Sequence, residues 1–111
     1  MGNDTLLGAF EELVLLAVAQ EDDQAYGMRV RREIERRAGR EVAIGAVYAT
    51  LDRLEHKGLV RSTRADTGTR ARRFFHVTAE GASALLEASA THRRMWEAID
   101  RTALENLAGR S

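Results

Sequence analysis

The chain has 111 residues, 44% of them apolar and 31% charged, which suits one domain, or one small domain plus an appendage, with a modest core that dimerisation would reinforce. It has no cysteine, which excludes disulfides and thiolate chemistry, and no apolar run near the roughly 18 residues that a bilayer span needs. The net charge of zero hides a dipolar chain: residues 1–25 carry six acids and no Lys or Arg, residues 26–77 thirteen bases against six acids, and residues 78–111 four bases against five acids.

Leu6, Phe10, Leu13, Val14 and Ala17 recur at helical spacing and predict a first helix over 4–20. Asp22 or Asp23 is placed to cap a second helix over 24–38, with Tyr26, Val30 and Ile34 inward and Arg29, Arg32 and Arg36 outward. Gly39 stands where a left-handed residue ends a helix. A third helix is expected over 44–57, closed by Gly58, with Ile44, Val47, Leu51 and Leu54 on its inner face. Ala43 precedes it where Ser or Asp would accept a bond from the free N–H groups, and alanine cannot.

The stretches LVRSTR and RARRFFHV read as two short strands around ADTGT, with Asp66 and Gly68 making the turn. One of Phe74 and Phe75 belongs to the core, and the other covers the helices. Thr78 can cap a last helix over 79–107. Leu85, Ala88, His92, Met95 or Trp96, Ile99, Ala103 and Asn106 or Leu107 then recur near 3.5 residues, the spacing of a seam for another helix. The predicted class is mostly α with a small β-hairpin: a winged helix-turn-helix over 1–77 and a long dimerisation helix over 78–111.

The third helix carries the functional signal. Its outer face starts bare, at Gly45, Ala46 and Ala49, and ends polar and basic, at Arg53, His56 and Lys57. A helix that enters the major groove, about 12 Å wide, needs short side chains where its backbone nears the bases and basic ones where it meets phosphates. Tyr48 and Thr50 flank the bare face and can donate to phosphate oxygens. The plain alternative is an ordinary exposed face with a glycine for a tight turn. Arg61, Arg64, Arg70, Arg72 and Arg73 then crowd the hairpin, as in a wing that grips backbone or minor groove, or in an edge strand protected by charge.

These stretches in order resemble the PadR family of winged-helix transcriptional regulators. FEELVLLAVA, DDQAYGMRVRREIERRAGREV, IGAVYATLDRLEHKGLV and RRFFHVTAEGASAL carry the likeness over most of residues 8–86. The resemblance implies a dimer on an inverted-repeat operator, usually repressing transcription. It implies Tyr26 and Tyr48 near phosphates, residues 44–53 in the groove and a wing at 64–72. It also implies a dimer interface from the first and last helices, here Leu6, Phe10, Leu85, His92, Met95, Trp96, Ile99 and Ala103. Some multidrug-sensing relatives stack a small planar effector between tryptophans across the dimer; Trp96 is the only tryptophan, and filling the interface is its other role. The chain departs from the family at Ala43, at Gly68-Thr69-Arg70 in place of Gly-Gly-Arg, and at Phe74 and Phe75 in place of tyrosines.

The expectation is therefore a regulator of double-stranded DNA, with Tyr26, Gly45, Ala46, Tyr48, Ala49, Thr50, Arg53, Lys57, Arg64, Arg70 and Arg72 at the interface. No cofactor, membrane or enzymatic role is expected. His56, His76 and His92 are isolated in sequence, without metal-ligand spacing, although paired His92 residues across a dimer would be a conceivable metal site. Glu11 and Glu12 are read as repelling DNA from the wrong face. The alternative function is a winged-helix module that binds a protein through the same basic face. The expected location is the cytoplasm.

Overall fold

The computed structural model describes residues 7–67 and 70–110. Helices α1 (Ala9–Glu21), α2 (Gly27–Ala38) and α3 (Ile44–His56) are followed by strands β1 (Val60–Thr67) and β2 (Arg70–Val77), then by α4 (Ala79–Glu97) and α5 (Arg101–Leu107). A single 3-10 turn, Asp22–Gln24, joins α1 to α2. The two strands pair antiparallel, from Val60 opposite Val77 to Thr67 opposite Arg70. No described helix is long and apolar enough to cross a membrane.

The core lies where the apolar stripes of α1, α2 and α3 meet the root of the hairpin. Val14, Leu15 and Val18 come from α1, Val30 and Ile34 from α2, and Val47, Leu51 and Leu54 from α3. Val60 and Phe75 close it from the strands. Phe75 is the core aromatic, and Phe74 packs edge-on against Tyr26, with ring centroids 5.8 Å apart. Gly58 ends α3 with φ near 79°; its N–H donates to Glu55 O at 3.0 Å and that of Leu59 to Leu54 O at 2.9 Å. This is a Schellman closure, which glycine permits without strain. Ala43 starts α3 with no side-chain cap.

Three expectations about the elements are corrected. The first strand runs past LVRSTR to Thr67, so Asp66 lies in the strand opposite Ala71 and not in the turn, because the antiparallel register continues to Thr67 opposite Arg70. The second helix begins at Gly27 rather than near residue 24, and neither expected aspartate caps it: Tyr26 holds the cap position, extended and without a side-chain hydrogen bond. The reason is tertiary: Ala25 O accepts from Phe75 N at 2.8 Å, so the chain at 25–26 runs along the free edge of β2 before it can turn helical. The last helix is broken. α4 stops at Glu97, and α5 restarts at Arg101, because the Asp100 carboxylate accepts from the N–H groups of Thr102 and Ala103. An aspartate inside a helical pattern offers the backbone this competing bond, and here the competing bond wins. The seam expected over 79–107 is therefore two helices with an elbow between them.

Candidate nucleic-acid interface

A helix advances 100° per residue, so the buried Val47, Thr50, Leu51 and Leu54 of α3 fix which residues point outward. Gly45, Ala49, Asp52 and His56 share the centre of the exposed arc, with Ala46 and Arg53 on one flank and Tyr48 on the other. A Cβ at Gly45 would meet no atom within 4 Å, so the bare start of the helix opens onto solvent. Thr50 was expected at this surface and is not there. It is only 3% exposed, because it lies on the arc with Val47 and Leu54.

Tyr48 leaves the arc sideways and rests on the amino end of α2. A Cβ on Gly27 would overlap the Tyr48 ring, so glycine at 27 is what lets the two helices meet there. Next to it stands Tyr26, with the Arg72 guanidinium stacked 4.2 Å from its ring centroid. Two tyrosines, an arginine and the first N–H groups of α2 thus meet where wing and helices adjoin. Such an amino end favours an anion.

Charge counted along the chain overstates the charge the surface offers. Within 26–77, Arg29 pairs with Glu21, Arg31 with Glu35, Arg36 and Arg37 with Glu33, and Arg73 with Asp52 and Glu55. Arg53 and Lys57 are drawn to Glu11 of α1, with Lys57 Nζ 2.9 Å and Arg53 Nε 3.5 Å from its Oε2. Among the described residues, Arg32, Arg40, Arg61, Arg64 and Arg72 have no ion pair, and three of these five belong to the hairpin. Leu6, Gly68 and Thr69 lie outside the described residues, as does the side chain of Arg70.

Glu11 is the residue that sequence reasoning misplaced. It does not face outward to repel DNA. It is buried, and its carboxylate also accepts the Gly8 N–H at 2.9 Å. Burial alone would raise its pKa; the Gly8 bond, the Lys57 bond and the charges of Lys57 and Arg53 outweigh burial and hold it below 4.5. The pair spans 46 positions, so no local pattern could announce it. The wing is fastened in a similar way. Ser62 Oγ donates to Glu55 at 2.7 Å, and that bond, with Arg73, keeps the Glu55 carboxyl below its usual value.

The residues expected at a dimer interface divide in two. Phe10 and Leu85 pack against the chain's own core, and His92 bonds Glu12 of α1 at 3.0 Å. Met95, Trp96, Ile99 and Ala103 are exposed on α4, the elbow and α5. The Arg101 guanidinium covers one face of Trp96, 4.8 Å from the ring centroid. Among the described residues, no group of three His, Asp or Glu side chains is placed to hold a metal.

Three packed helices, the second and third forming a helix-turn-helix, with an antiparallel hairpin wing on the third, make this a winged-helix protein. The family model "Transcriptional regulator PadR-like family" matches residues 15–87. The transcriptional regulator Rv3488 of Mycobacterium tuberculosis is 37% identical over 87 residues, spanning 78% of this chain and 69% of the relative. Among solved structures, RosR of H. salinarum is 30% identical with a TM-score of 0.65, covering 93% of this chain and 91% of its own. A PadR-like transcription factor from Bacteroides fragilis, at 23% identity, shares the fold with a TM-score of 0.71 over 80% of this chain and 84% of that one. The chain belongs to the PadR-like family of transcriptional regulators.

Proposed function

We propose that the chain represses transcription as a homodimer bound to an inverted-repeat operator. Residues 1–77 form the DNA-binding unit and 78–111 the dimerisation unit. The observation that supports this best is the bare outer face of α3, set between a wing whose Arg61, Arg64 and Arg72 have no ion pair among the described residues and the uncapped amino end of α2. Gly45, Ala46 and Ala49 let the α3 backbone approach the major groove. Tyr26, Tyr48 and Arg72 take a phosphate beside it, and Arg64 and Arg70 extend the wing contact. Arg53 and Lys57 approach the backbone only as far as Glu11 allows. Thr50, being buried, is not part of this reading.

Arg72→Ala weakens binding to operator-sized duplex DNA by about tenfold in a gel-shift titration, since charge-assisted bonds contribute more than neutral ones. The wild type loses affinity steeply with salt, with a slope near −0.9 per phosphate contact, and the variant has a slope shallower by about one contact. A flat salt dependence would replace this reading with the protein-interaction module.

Dimerisation is supported by apolar surface that a monomer leaves wet. Leu13, Leu16, Leu86, Met95, Trp96 and Leu107 are all exposed, and they follow α1, α4 and α5 along one molecule. A dimer competent to bind the operator should hold its two α3 helices about 34–36 Å apart, one turn of DNA. Light scattering at micromolar concentration should give twice the chain mass; the monomer mass would refute the dimer. A planar inducer would have one open face of Trp96 to stack on, the other lying under Arg101.

A further inference from the structure

At the centre of the exposed α3 arc, two of the four residues have no polar side-chain atom: Gly45 and Ala49. His56 is the last residue of the helix, and among the described residues its ring makes no hydrogen bond. Asp52 differs from both. Its side chain is 61% exposed, and it is held: Arg73 Nη1 donates to Oδ1 at 2.9 Å. Arg73 reaches it from β2, where its Nη2 bonds Glu55 and its Nε lies 3.3 Å from Ser62 Oγ. Glu55 and Ser62 would anchor Arg73 to the helix by themselves. Asp52 is therefore more than that anchor requires.

Resting on the reading that α3 enters the groove, we propose that Asp52 is its specificity-determining side chain, an acceptor fixed by the wing that selects a cytosine amino group. Among the described residues no donor bonds its Oδ2, and a carboxylate in the major groove pairs with the cytosine N4–H donor. The bare residues before it explain how so short a side chain can reach a base edge: the backbone comes close because Gly45 and Ala49 leave room. The Arg73 guanidinium offsets part of the repulsion between this carboxylate and the phosphates. Repulsion from the groove walls also disfavours a phosphate contact at this position, which leaves the groove floor. Arg53, the longer side chain on the flank of the same arc, is turned toward Glu11 instead.

Binding sites selected from a randomised duplex pool by the wild type, Asp52→Asn and Asp52→Ala test this. The wild type should fix a cytosine at one position in each half-site, by about tenfold or more over other bases, as a good base contact does. Asp52→Ala should lose that preference. Asp52→Asn should move it toward adenine, which an amide pairs in two places. Melting temperature should stay near wild type, because the side chain is exposed and Glu55 and Ser62 still hold Arg73. Affinity for unrelated DNA should not fall in either variant, because a charge that phosphates repel is removed. If all three proteins select the same base at every position, Asp52 only braces the wing and the proposal fails while DNA reading by α3 stands. If the wild type enriches no sequence, the operator reading fails and this proposal with it.

Discussion

Gly81→Ala should lower stability by about 3 kcal/mol, a loss near the upper end of overpacking. Inside a helix, glycine to alanine ordinarily gains about 0.5–1 kcal/mol, so here the sign itself is at issue. The start of α4 is pressed onto the turn that leaves α3. Thr78 N donates to Leu59 O at 3.1 Å, and Thr78 Oγ1 donates to Gly58 O at 2.7 Å while accepting from Gly81 N at 3.0 Å. A Cβ at Gly81 would overlap the Leu59 carbonyl oxygen and crowd Val77 Cγ1, 2.9 Å away. The first obstacle is backbone, which cannot rotate aside as a flexible side chain would. The helix must lift, and the Thr78 bonds stretch with it. For a chain of this size, about 3 kcal/mol means a fall in Tm on the order of 10 °C or more. Gly45→Ala is the internal contrast, since its Cβ enters open space and the fold should tolerate it. A Gly81→Ala protein that melts at or above the wild-type temperature would show that α4 is not seated on this turn.

The same junction shows what was legible in the sequence. Thr78 as a cap and Gly58 as a helix end follow from local bonding rules, and both stand where those rules put them. The α3 span, 44–57 from spacing and Ile44–His56 in the structure, was equally plain, because apolar periodicity and a glycine stop agreed. The start of α2 was hidden, since the Ala25–Phe75 bond that delays it joins residues fifty positions apart. The elbow at Asp100 had a local signal, an aspartate able to cap, which the regular seam around it outweighed.

In the candidate site, residue type misled where geometry would have served. Thr50 was assigned outward for its hydroxyl, although its angle on the helix places it with Val47 and Leu54. Asp52 carries no such signal in its residue type, although its angle places it with Gly45 and Ala49. The counted charge of the middle segment was real, but among the described residues seven of its thirteen bases (Arg29, Arg31, Arg36, Arg37, Arg53, Lys57 and Arg73) are paired with the chain's own carboxylates. Ion pairing of that kind depends on which helices touch, and no pattern along the chain encodes it.

Glu11→Gln should lower stability at pH 7 by about 1–3 kcal/mol, the range for losing a charged hydrogen-bond partner from a largely buried site. The amide can still accept from Gly8 N–H, so the loss isolates what the charge does for Lys57 and Arg53. The pH dependence follows from the direction of the Glu11 shift. Its pKa in the fold lies below 4.5, so the unfolded chain takes up the proton first as pH falls. The stabilisation is complete above that value and disappears as pH drops through the lower, folded one. Urea unfolding of wild type and variant should therefore differ most near neutrality and converge in acid. Glu12→Gln, beside the exposed His92, provides the comparison and should change little, as exposed pairs contribute about 0–1 kcal/mol. A Glu11→Gln protein as stable as wild type at pH 7 would reduce the contact to surface decoration. The predicted loss would mean that the acidic head of the chain supplies the counter-charge that seats the end of α3 against α1. The angle at which α3 meets DNA would then depend on a carboxylate that never touches it.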